Sequence, residues 1–127
     1  MKIDRIVVHQ KYNGHCAYCG REITAKEMHI DHIIPKFHNR EDLGFLVVDG
    51  HKFTDYKVND TENLNPACRV CNLWKSTHTI EEFRHELEMQ ISRLRQYSAS
   101  FRLAERYNLI TPTDNEVIFY FETRVLK

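Results

Sequence analysis

The sequence predicts an α+β fold, and three observations carry that expectation. All four cysteines fall into Cys-x-x-Cys pairs, Cys16/Cys19 and Cys68/Cys71, which can close on one ion. Residues 28–33 alternate with a period of two, as a half-buried strand does. After Thr79, the residues Phe83, Leu87, Ile91 and Leu94 recur at helical spacing.

The cysteines come first because they limit everything between them. Two thiolates of one turn can approach a tetrahedral ion, and two such turns complete a four-thiolate zinc site. Gly20 ends the first knuckle, where a turn needs φ > 0. Residues 20–67, 48 in all, separate the pairs. That is longer than a zinc ribbon, so a folded segment must be inserted. Disulfides would need an oxidising compartment, and the apolar run Ile6-Val7-Val8 is too short for a secretory signal. A redox pair would not need a second copy. The expected setting is cytoplasmic. No segment is long enough to span a membrane.

The remaining elements follow in chain order. Ile3–Tyr12 suits a short helix leading into the first knuckle. Ile23–Ile34 reads as extended chain, broken near Thr24-Ala25-Lys26, with Pro35 ending the strand. Phe45–Val48 and His51–Phe53 flank Asp49-Gly50, a strong hairpin signal. Asn63–Ser76 should be a turn followed by a helix that carries the second knuckle. Thr79 and Glu82 form a capping box opening a long helix, interrupted at Ser98–Ser100 and resumed over Phe101–Leu109. Glu116–Thr123, rich in Val, Ile, Phe and Tyr, reads as a terminal strand. The 127 residues are expected to form one domain, with a core at about 12–82 and a C-terminal extension at about 79–127. A net charge of +0 argues against tight non-specific DNA binding by the bare chain.

Asp31-His32-Ile33-Ile34-Pro35, then Asn63-Leu64, then Cys68-x-x-Cys71-Asn72-x-x-Lys75 resemble the HNH endonucleases of the ββα-metal, or His-Me finger, group. The resemblance spans roughly Cys16 to Glu82, and Asn72 in the third position makes it an H-N-N form. It implies a ββα-metal core, here held by the structural zinc that the spacing predicts on Cys16, Cys19, Cys68 and Cys71, and hydrolysis of double-stranded DNA. The products would carry a 5′-phosphate and a 3′-hydroxyl. It is compatible with a homodimer or a partner protein.

The chemistry is intelligible from the residues. An unperturbed imidazole titrates near ~6.5, so His32 can accept a proton from water. Asp31 and Asn72 offer hard oxygens of the kind Mg²⁺ or Mn²⁺ takes. On a strand Asp31 and His32 point to opposite faces, so bending near Pro35 is expected to bring them to one site. The resemblance gives Asn63 a positioning role, and Lys75 can touch a phosphate.

Each residue also has a plainer reading. His32 can be a satisfied structural histidine, Asp31 the partner of a surface cation, Asn72 a cap, Asn63 a turn residue and Lys75 a solvated lysine. His29, on the face of Asp31, is read as an ordinary polar strand residue. The Arg and Glu residues of 82–106 are read as a salt-bridged helix face, and Trp74 and Phe83 as core around the zinc. The competing function is a zinc-stabilised nucleic-acid- or protein-binding module without cleavage.

Overall fold

The computed structural model describes residues 3–35, 45–48, 51–54 and 61–125. Helix α1 spans Arg5–Gln10, capped by the Asp4 carboxylate, which accepts from the Ile6 and Val7 N–H groups. The first knuckle follows, and Gly20 takes φ 81° as its position requires. An ideal Cβ there would lie 2.7 Å from the Tyr120 ring. Strand β1 is His29–His32, and β4 is Leu64–Ala67. They pair antiparallel, with Asp31 opposite Asn65 and His32 opposite Leu64. Helix α2, Arg69–Lys75, follows at once and packs on β1. These three elements make a β–β–α unit with the four cysteines beside it.

Between β1 and β4 the chain forms a second antiparallel pair, β2 (Phe45–Val48) and β3 (His51–Thr54). This is the expected hairpin; its Asp49-Gly50 turn and most of the 36–61 insertion lie outside the described residues.

The C-terminal part is α3 (Ile80–Glu88), α4 (Gln90–Tyr97), α5 (Ala99–Arg106) and α6 (Tyr120–Val125). The Thr79–Glu82 capping box is present, and Ser98 caps α5. The expected long helix is split at Met89, with Arg93 reaching across the break to Glu86 at 2.7 Å. The helical apolar face fades along its length. Phe83 is buried, Leu87 and Ile91 are half-buried, and Leu94 is exposed.

The expected terminal strand is corrected. Residues 111–119 carry no regular structure and 120–125 are helical. Their β-prone side chains pack against the first knuckle instead of joining a ladder, so tertiary context outweighs propensity. The Tyr120 and Phe121 N–H groups donate to the Tyr18 and Ala17 carbonyls at 3.0 and 2.8 Å. Phe119 is buried, stacked on Phe83 at 5.2 Å and edge-on to Tyr18 at 5.4 Å. Trp74 is also corrected: it is 49% exposed, not core, because it lies on the outward side of α2 with Arg69, Val70 and Leu73. The acidic and basic residues of α3–α5 do pair, as Arg84–Glu81, Arg93–Glu86 and Arg95–Glu105.

Arg84 fastens the C-terminal segment. It donates to the Val117 carbonyl and to Glu122 at 2.8 and 2.9 Å, and lies over the Phe119 ring at 4.9 Å. Arg84→Ala is expected to lower unfolding free energy by about 2 kcal/mol, since bonds to charged groups are individually stronger than neutral ones. Denaturant melts of the two proteins check this; equal midpoints would remove Arg84 as the fastener.

Candidate metal and catalytic site

The four cysteines are free thiols whose sulfurs all lie within 4.8 Å of one another. Local folding explains the convergence. Cys16 and Cys19 flank a tight turn closed by Gly20 N–H to Cys16 carbonyl at 3.0 Å. Cys68 is the N-cap of α2, and Cys71 is one turn in. The Ala17 N–H to Pro66 carbonyl bond, 2.8 Å, brings the turns together. Cys19 Sγ and Cys68 Sγ are 3.8 Å apart. A tetrahedral site with bonds of about 2.3 Å has an edge of about 3.8 Å, so the spacing fits a thiolate-bound zinc-sized ion. It is far from a disulfide of about 2.0 Å.

The electrostatics agree. The hydrogen bond from the Cys71 thiol, with main-chain N–H groups, holds Cys16 down at about 4 despite burial. That same bond pushes Cys71 up, and burial pushes Cys19 up. A cation bound among the four sulfurs favours their thiolate forms.

Asp31 lies on one face of β1 in a buried polar cluster. Its side chain is 4% exposed, and Lys75, fully buried, places Nζ 3.2 Å from Oδ1. The Tyr18 hydroxyl donates to Oδ2, and Asn65 Nδ2 donates to the Tyr18 oxygen at 3.4 Å. Burial pushes the Asp31 carboxyl up; the Lys75 ammonium, the Tyr18 bond and, least, His32 pull it back. Burial pushes Lys75 down while Asp31 pulls it up. Burial pushes the Tyr18 hydroxyl well above its usual range, so it remains a donor.

Lys75 therefore faces inward, and the phosphate contact read from its position is corrected. It also donates to the His32 carbonyl at 2.9 Å, tying α2 to β1. A lysine three residues after Asn72 looks solvated in sequence; the inward side of α2 is Cys71, Asn72 and Lys75. His32 is half-buried, next to Asp31 in a regular strand. The chain bends at Ile33 and Ile34, next to Pro35 as expected, and this bend follows both residues on the strand. His29 is exposed.

Asn63 clamps that bend. Its Oδ1 accepts from Ile34 N–H at 2.8 Å, its Nδ2 donates to Ile34 carbonyl at 3.2 Å, and its own carbonyl accepts from Ile33 N–H at 2.8 Å. Tyr18 and Asn65 were not singled out by the sequence. The signal for Asn65 was its position opposite Asp31, hidden because Asn-Leu-Asn-Pro reads as a turn rather than as β4. The signal for Tyr18 was its place inside the first knuckle.

For a hard cation the donor chemistry fits. Asp31 and Asn72 offer oxygens, and each Asp31 oxygen accepts one bond here, leaving lone pairs on both. Asn72 is half-buried. Access is narrow, because Asp31 is covered.

Lys75→Met leaves Asp31 buried without its cation and is expected to cost about 3–5 kcal/mol, as breaking a buried pair does. Adding Asp31→Asn should restore part of that loss. Urea unfolding of the singles and the double variant checks it; additive losses would mean the two groups do not interact.

No curated protein and no solved structure matches the chain. Residues 16–44 match the family model described as HNH endonuclease, which covers the first knuckle and the Asp31-His32 strand. Residues 16–44 are thus similar to the HNH endonuclease family, while Asn63, the second knuckle and Asn72 lie outside the matched segment.

Proposed function

We propose that the chain is a metal-dependent HNH endonuclease that hydrolyses phosphodiester bonds in double-stranded DNA, acting as one nuclease unit over residues 1–127. The observation that carries this reading is the order of motif residues on one β–β–α unit. His32 lies on β1, Asn63 clamps its exit, and Asn72 is on the inward side of α2. His32 accepts the proton of the attacking water. Asn63 fixes the path of Ile33 and Ile34, and Lys75 fixes the carbonyl of His32, so the imidazole is carried on a rigid strand. Water oxygen bonds to phosphorus as the bond to the 3′ oxygen breaks, and the leaving oxygen takes a proton from solvent, giving a 5′-phosphate and a 3′-hydroxyl.

Asp31 and Asn72 would hold Mg²⁺ or Mn²⁺, which when bound offsets phosphate charge and acidifies water. Zinc on Cys16, Cys19, Cys68 and Cys71 would hold the fold. One observation favours the second reading, a binding module without cleavage: Asp31 is already paired with Lys75 and Tyr18.

Plasmid incubated with Mg²⁺, with and without chelator, separates the two. Cleavage is expected, and His32→Ala should reduce it roughly 10²–10⁴-fold while DNA binding and metal content persist. Wild-type cleavage by His32→Ala overturns the mechanism; DNA binding with no cleavage by the wild type selects the module.

Elemental analysis should find one zinc per chain. Cys68→Ser should lose the zinc and unfold, because the apo site rarely persists in folded form. An unchanged melt and zinc content in Cys68→Ser would sink the zinc assignment.

A further inference from the structure

We infer that Tyr18 is a positioning residue, orienting the Asp31 carboxylate from within the four-cysteine site; this rests on the metal-binding role proposed for Asp31. Tyr18 stands between Cys16 and Cys19, so its backbone is set by the turn that gathers the thiols. Its carbonyl is engaged by the Tyr120 N–H at 3.0 Å. Its ring is 3% exposed and meets three aromatic rings edge-on, Phe83 at 5.5 Å, Phe119 at 5.4 Å and Phe121 at 6.0 Å. Backbone, ring and hydroxyl are therefore all held.

The proton order along the cluster is determined. Tyr18 has one hydroxyl proton, and Asp31 as carboxylate can only accept, so that proton goes to Oδ2. The Tyr18 oxygen must then accept, and Asn65 supplies the donor through Nδ2. This fixes the Asn65 amide orientation and leaves its buried Oδ1 without a partner among the described residues. Asn65 is directly opposite Asp31 on β4 and is fully buried. Asn65 steadies the hydroxyl, the hydroxyl occupies one side of the carboxylate, and the remaining lone pairs are aimed in a set direction. Groups of this kind around metal ligands typically matter by 10–100-fold in affinity or activity.

The test uses zinc-loaded full-length protein titrated with Mn²⁺, followed by calorimetry and by the paramagnetic resonance signal of free Mn²⁺. Tyr18→Phe keeps the ring and removes only the hydroxyl. Its Mn²⁺ Kd is expected to rise about 10-fold or more, with zinc content and far-UV spectrum unchanged. Cleavage should fall and recover in part at high Mn²⁺. Asp31→Asn should remove the Mn²⁺ site. If Tyr18→Phe does not fold, Asn65→Leu, which loses only the donor to the Tyr18 oxygen, should raise the Kd a few-fold. A Kd within twofold of wild type in the folded variant, with binding lost in Asp31→Asn, overturns the role of Tyr18 and leaves the nuclease reading standing. Unchanged binding in Asp31→Asn, or no Mn²⁺ binding by the wild-type protein, overturns both the positioning role and Asp31 as a ligand.

Discussion

Four sulfurs meeting from two distant turns is the constraint on which the other contacts depend. Closing the long insertion between Cys19 and Cys68 costs chain entropy, though slowly with length. The contacts gathered at the meeting point offset that cost. Ala17 bonds to Pro66, Cys68 starts α2, and the first turn takes the 119–121 segment on its outer side. Remove the convergence and β4, α2 and the C-terminal segment lose their common anchor. The thiol electrostatics point the same way, since the Cys71 thiol and main-chain N–H groups hold Cys16 down.

From that anchor a chain of polar contacts runs into the strand. Tyr18 reaches Asp31, Asp31 reaches Lys75, and Lys75 reaches the His32 carbonyl. A buried ion pair of this kind is weak evidence for stability, because desolvation opposes the Coulomb attraction. Burial disfavours the charged form of both partners here. What the pair does supply is register. It fixes how α2 lies on β1 and therefore where Asn72 stands relative to the strand.

Features set by a few neighbouring residues were legible in the sequence. The Thr79–Glu82 box, the helix break at Ser98, the left-handed Gly20 and the β2–β3 hairpin all follow from local chemistry. So did the meeting of the cysteines, because their spacing admits few other uses. Features decided by distant partners were not legible. β4 has the composition of a turn and becomes a strand only because β1 lies beside it. Lys75 looks solvated until Asp31 faces it. Glu116–Thr123 has strand propensity but finds rings at the knuckle rather than a free edge. Trp74 looks like core, yet α2 turns its other side inward.

The arrival of Phe119 against both Tyr18 and Phe83 has a consequence for how the chain is made. A ribosome delivers the first knuckle early, long before its partners. Cys68 and Cys71 must emerge before the sulfurs can meet, and Phe119 must follow before Tyr18 is covered. Contacts so far apart in sequence slow folding, because loop closure comes before its reward. Until then the nascent chain presents unpaired thiols and aromatic rings. Among the described helices, the one that comes last in the chain is thus the one that closes over the first turn.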